Sequence, residues 1–176
     1  MLRKTCLVLP ALISLLAAIS ASLPWGAPAS VSLALPLMAL SVIFYWGIHR
    51  GAQLPSPVVF LIGLVTDLAT DGPMGFWALN FLIGYAIAVY GPRWNGERRQ
   101  GIAALLLFGV AIAIVSVLSW LLTSLFFLKV MPLSPLLTAA IGALLAYPIV
   151  SFVLTPFERM VGNAMLYAPD RKDQWL

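Results

Sequence analysis

The chain has 176 residues, of which 62% are hydrophobic and 9% charged, and its mean hydropathy is +1.01. Soluble domains carry roughly a quarter charged residues, so a soluble globular fold and a disordered chain are both excluded. Continuous apolar runs exclude a membrane β-barrel, whose strands alternate apolar and polar residues, which leaves an all-α integral membrane protein.

A helix crossing a bilayer needs about 20 mainly apolar residues. Six segments meet or approach this: residues 7–23, 31–48, 52–70, 73–90, 101–128 and 133–156. Together they form one domain, residues 1–156. Pro24, Gly26 and Pro28 end the first segment, and Asp71-Gly72-Pro73 is a turn signal between the third and fourth. Gly91–Gly96 opens a polar loop, and Pro132 and Pro135 divide the last two segments. The third segment has a continuous apolar core of only 14 residues, Pro57–Thr70, about 21 Å at the α-helical rise. It either begins near Ala52, with Pro55 and Pro57 in its first turns, or dips into the bilayer without crossing it.

Charge placement orients the chain. Six crossings with an inner N-terminus put Arg3, Lys4, Arg50, Arg93, Arg98, Arg99, Arg159, Arg171 and Lys172 inside, and Lys129 alone outside. This is the positive-inside pattern, with both termini cytoplasmic. It also accounts for the net charge of +4 without nucleic acid, for which no basic run with interleaved aromatics exists. Arg3 and Lys4 followed by an apolar run and Ala18–Ser22 also have the form of a signal peptide. Either reading leaves the topology after that run unchanged. Trp25, Trp46, Trp77, Tyr90, Trp94, Phe126 and Phe127 fall near segment ends, where aromatic rings favour the interface. Trp120, Tyr85 and Tyr147 lie deeper. Small residues four apart, at Gly84/Ala88, Gly109/Ala113, Ala139/Ala143 and Gly142/Ala146, mark places where helices can approach closely.

Residues 157–176 form a cytoplasmic tail. Phe157, Met160, Val161, Ala164, Met165 and Ala168 share one helical face, with Glu158, Arg159, Gly162 and Asn163 opposite. The pattern fits a short interfacial helix and equally an extension of the last span.

Little in the chain can perform chemistry. Cys6 is the only cysteine and His49 the only histidine, so cysteine-based and histidine-cluster metal sites are excluded. His49 lies on the inner side and Asp67 and Asp71 on the outer, separated by about 30 Å of hydrocarbon, so they cannot form a triad. Glu97 and Glu158 have no partner pattern. There is no phosphate loop, dinucleotide fingerprint or zinc motif, and no cofactor is expected. Asp67 is the one carboxylate at membrane depth, where an ionisable group suggests a functional or pairing role. It lies four residues after Gly63 and four before Asp71, on one helical face. Two readings stand: a polar anchor facing a helix, partner or cavity, or a last-turn residue wetted from outside. Asp67 with Thr66, Asn80 and Tyr85 could line a small polar pocket.

The stretch 36–90 resembles the MreD family of bacterial rod-shape-determining membrane proteins. The matching residues are Pro36, Tyr45-Trp46, Pro57, the run Phe60–Leu68 with its Gly63-Leu64-x-x-Asp67-Leu68 core, Gly75, Ala78-Leu79 and Tyr85. The basic loop at Arg93–Arg99 and the length also fit. The resemblance implies a non-enzymatic protein of the cytoplasmic membrane that binds MreC. It would work with the MreB cytoskeleton, a glycosyltransferase of the shape-elongation-division-sporulation family and a class B penicillin-binding protein. It further implies six helices resembling the substrate-capture subunits of energy-coupling-factor transporters. Gly63 and Asp67 take the positions of the family's motif, and Asp71, Asn80 and Tyr85 complete the candidates for a partner or cavity contact. The expected function is a scaffold of cell-wall elongation. The alternative is a small-solute, vitamin-type binding subunit of similar fold. A membrane-embedded enzyme would have only Asp67 and Asp71 for acid–base work.

Overall fold

The computed structural model describes residues 2–23, 29–91, 101–128 and 132–166. They form six α-helices: α1 (Leu2–Ser22), α2 (Ala29–Arg50), α3 (Ser56–Ala69), α4 (Phe76–Tyr90), α5 (Ile102–Phe126) and α6 (Ser134–Leu166). A 3₁₀ turn, Gly51–Gln53, joins α2 to α3. No strand occurs among the described residues. Trp25, the polar loop with Arg93, Trp94, Glu97, Arg98 and Arg99, Lys129, and residues 167–176 of the tail, Ala168 among them, lie outside them.

The helices follow the apolar segments, with informative differences at their ends. α3 begins at Ser56, not near Ala52. Pro55 is extended at φ −66°, ψ 147° and precedes the first turn, where Pro57 also sits. Proline suits this position because first-turn N–H groups have no intrahelical acceptor, and Pro55 disfavours helix at the residue before it. α3 and α4 thus have 14 and 15 residues, about 21 and 22 Å. α5, and α6 over Ser134–Met160, are long and apolar enough to cross a membrane. α6 runs through Pro148 and Pro156 to Leu166. Residues 157–166 therefore extend the last helix and do not start a separate one. Each internal proline removes one N–H from the helical ladder.

α2 occupies the centre. α1, α3, α4, α5 and α6 form a ring around it, each in contact with the next and α6 closing on α1; α2 itself packs against α1, α4, α5 and most extensively α6. Every residue from Ala39 to Gly47 is buried, as expected for a helix that is apolar on all sides. Phe44 of α2 meets Phe108 of α5 edge-on at 5.0 Å, and Phe108 stacks on Tyr147 of α6 at 4.5 Å. The central place of α2 corrects one sequence expectation. Trp46 is not an interfacial ring but fully enclosed, and Trp77 is buried as well. Tyr90, Phe126 and Phe127 are exposed at helix ends.

The outer faces are apolar too. On α5, Leu106, Val110, Ile114, Val117, Leu121 and Leu125 are exposed, and on α6, Leu137, Ile141, Leu145, Ile149 and Phe152. A water-facing helix would place polar residues there.

Among the small-residue pairs, Gly84/Ala88 lies on the α2–α4 seam. A Cβ on Gly84 would stand 2.6 Å from Leu40 Cδ1, and one on Gly47 would stand 2.8 Å from Ala88 Cβ. Ala139 and Ala143 are buried. Gly109 makes only ordinary contact with Leu144, Gly142 faces open space and Ala113 is exposed.

Candidate functional site

The motif residues meet where α3 packs against α4. Gly63 lies directly on the start of α4: a Cβ there would come within 2.6 Å of Ala78 N and 3.0 Å of Ala78 Cβ. No side chain fits between these backbones. One turn on, Asp67 is 1% exposed. Its Oδ1 accepts from Trp77 N at 2.7 Å, and its Oδ2 from Gly75 N at 2.8 Å and Ala78 N at 3.4 Å.

The arrangement is a helix cap supplied from a neighbouring helix. A helix N-terminus leaves N–H groups without acceptors, and an N-cap side chain normally serves those two and three residues on. At the cap position of α4 stands Gly75, which has no side chain and adopts φ 93°. Asp67 serves Trp77 and Ala78 in its place. Its charge is matched by the positive end of the α4 dipole and by charge-assisted bonds. This resolves the two sequence readings. Asp67 is an anchor facing another helix and is not wetted.

Asp71 has a different role. It is exposed and adopts φ 50° just past the end of α3. Gly72 N then bonds Asp67 O at 3.3 Å, the six-to-one bond of a Schellman termination. Asp67 and Asp71, four residues apart, do not converge on one site.

Asn80 is fully buried. Its Nδ2 donates to Phe76 O at 2.9 Å, and Ser119 Oγ donates to its Oδ1 at 3.2 Å, linking α4 to α5. Thr66 Oγ1 bonds within its own helix, to Ile62 O. Tyr85 lies further along α4, with its hydroxyl at the carbonyls of Gly51, at 2.9 Å, and Leu54. It thereby serves backbone groups in the break between α2 and α3. Unpaired carbonyls there would be costly in an apolar setting. Thr66, Asp67, Asn80 and Tyr85 therefore belong to four separate contacts and do not line one polar pocket. No group of three or more His, Cys, Asp or Glu able to hold a metal ion occurs among the described residues.

One contact escaped sequence reasoning. Arg50, at the end of α2, pairs with Glu158 of α6: Nη2 is 2.9 Å and Nε 3.1 Å from Oε1. Both side chains are largely buried, and the guanidinium lies over Gly162. Glu158 thus faces the bundle while Phe157 and Met160 face outward, the reverse of an ordinary amphipathic tail. The sequence separation of 108 between the partners leaves no local signal. Removing one partner strands a buried charge, a loss that partial exposure reduces to about 2 kcal/mol. Glu158→Ala is expected to cost this much in detergent unfolding, and Arg50→Met with Glu158→Leu less than the single change. Equal stability of Glu158→Ala and wild type would remove the pair from the account.

No protein-family model, curated protein or solved structure matches the chain. The motif geometry is thus the strongest functional indication it carries. In it the carboxylate accepts three backbone hydrogen bonds and is enclosed.

Proposed function

We propose that this chain is a multi-pass protein of the bacterial cytoplasmic membrane, of the MreD type, that acts as a non-enzymatic scaffold of cell-wall elongation. In this reading all six helices cross or enter the bilayer, with both termini cytoplasmic and a fold similar to that of energy-coupling-factor capture subunits. MreC binds it directly. Through MreC it works with MreB, the glycosyltransferase and the class B penicillin-binding protein.

One observation carries the reading. The most specific residues of the resemblance, Gly63, Asp67, Gly75 and Ala78, meet in a single contact. A motif devoted to locking two helices suits a protein that presents a rigid surface. The apolar outer faces of α5 and α6 and the nine inner basic residues against one outer support membrane insertion in this orientation. The short α3–α4 pair, about 21–22 Å, fits a hairpin seated below one face of a bilayer core about 30 Å thick.

Depletion of the protein in its bacterium is expected to turn rods into rounded cells and to scatter wall insertion along the flanks. Unchanged rods with normal lateral insertion would overturn the scaffold reading.

A further inference from the structure

We propose that the recess above the α3–α4 turn is a binding site for an organic monocation with an apolar body, such as a quaternary ammonium or a protonated hydrophobic amine. The proposal does not rest on the scaffold reading, which uses neither the recess nor Asp71.

The recess follows from helix lengths. The α3–α4 turn forms its floor, and the ends of α1, α2 and α5 stand around it as walls. The recess is open on one side and has a volume of about 1120 Å³, slightly above the roughly 300–1,000 Å³ typical of small-molecule sites. It is large enough for a whole molecule.

Among the described lining residues the charge has one sign. Asp71 is the only ionisable residue among the described lining residues. It is exposed, and the backbone turn that ends α3 holds it in place. The C-terminal end of the α3 dipole adds negative potential beside it. The opposing positive end of α4 is already matched by Asp67. Among the described lining residues a cation therefore finds a negative field, and an anion finds no charged donor side chain. The walls suit the rest of such a ligand. Phe76 and Trp77 meet edge-on at 5.1 Å, and Phe126 and Phe127 at 5.2 Å. All four line the recess. Aromatic faces attract cations once water is removed, and their area favours an apolar body. The recess thus combines what recognises a hydrophobic cation: one carboxylate at the floor and aromatic walls.

Tetraphenylphosphonium and tetraphenylborate have nearly the same shape and opposite charge, so together they separate charge recognition from simple partitioning. Equilibrium dialysis of the full chain in non-ionic detergent, against detergent alone, is expected to show saturable phosphonium binding and no saturable borate binding. Asp71→Asn should weaken the phosphonium by about tenfold, the effect of losing one close charge. Asparagine tolerates the left-handed backbone of this position, so thermal unfolding of the variant should match wild type and show that the recess is intact. Phe127→Ala should weaken binding as well, through the wall. Equal phosphonium binding by wild type and Asp71→Asn would overturn the proposal, as would borate bound as tightly as phosphonium.

Discussion

Asp67→Ala is expected to lower the unfolding free energy by about 3 kcal/mol, an estimate built from buried bonds to a charged acceptor at roughly 1.5–3 kcal/mol each and their incomplete additivity. The cause is specific. Trp77 and Gly75 donate to the carboxylate at 2.7 and 2.8 Å, and burial of Asp67 to 1% exposure leaves water no route to replace it. Asp67→Asn should recover less than half of the loss. Its one oxygen satisfies one donor, while its NH₂ group faces the others. Amide hydrogen exchange separates this cap from general destabilisation: Trp77 and Ala78 should lose protection first, ahead of α5 and α6. An Asp67→Ala variant with wild-type stability and a protected Trp77 amide would show that the cap contributes nothing.

Gly63→Ala should destabilise the protein by about 2 kcal/mol, although alanine is the better helix former by about 1 kcal/mol. The overlap decides the sign. An added Cβ would meet the backbone of Ala78, 2.6 Å from its nitrogen, and backbone cannot move aside as a flexible side chain can. Inserting a methyl into a closed seam costs typically 1–3 kcal/mol, and here relief requires parting the two helices. Parting them lengthens the bond from Ala78 N to Asp67 Oδ2, already 3.4 Å. Gly63→Ala and Asp67→Asn should therefore combine to less than the sum of their single effects, since each opens the same seam. Thermal unfolding of the four proteins in one detergent gives this coupling. Strict additivity, or a Gly63→Ala variant more stable than wild type, would contradict a shared contact.

The helices were legible because an apolar run long enough to be a helix carries its own evidence, and the prolines and glycines between runs mark the ends. α3 was legible as the irregular member, with its prolines at the first turn. Position within the bundle was not legible. Trp46 lies near the end of an apolar run like the interfacial aromatics, and only its place on the central helix makes it buried. The periodicity of the tail identified a face but not its direction. Glu158 turns inward because Arg50, distant in sequence, lies there. Asp67 stood out as a carboxylate at membrane depth and Gly63 through the resemblance, but what they touch depends on how the Asp71–Gly75 turn folds α4 back on α3. A left-handed Gly75 and a carboxylate eight to eleven residues from its donors leave no helical or strand period to read.

The scaffold reading is tested most directly by purifying the tagged protein from its native membrane in mild detergent and identifying what accompanies it by mass spectrometry. The account predicts recovery of MreC together with the wall-elongation glycosyltransferase and penicillin-binding protein, and loss of all three from Gly63→Ala membranes in which the protein itself persists. Recovery of an ATPase module with a stoichiometric vitamin, and no MreC, would contradict it and make the chain a solute-capture subunit.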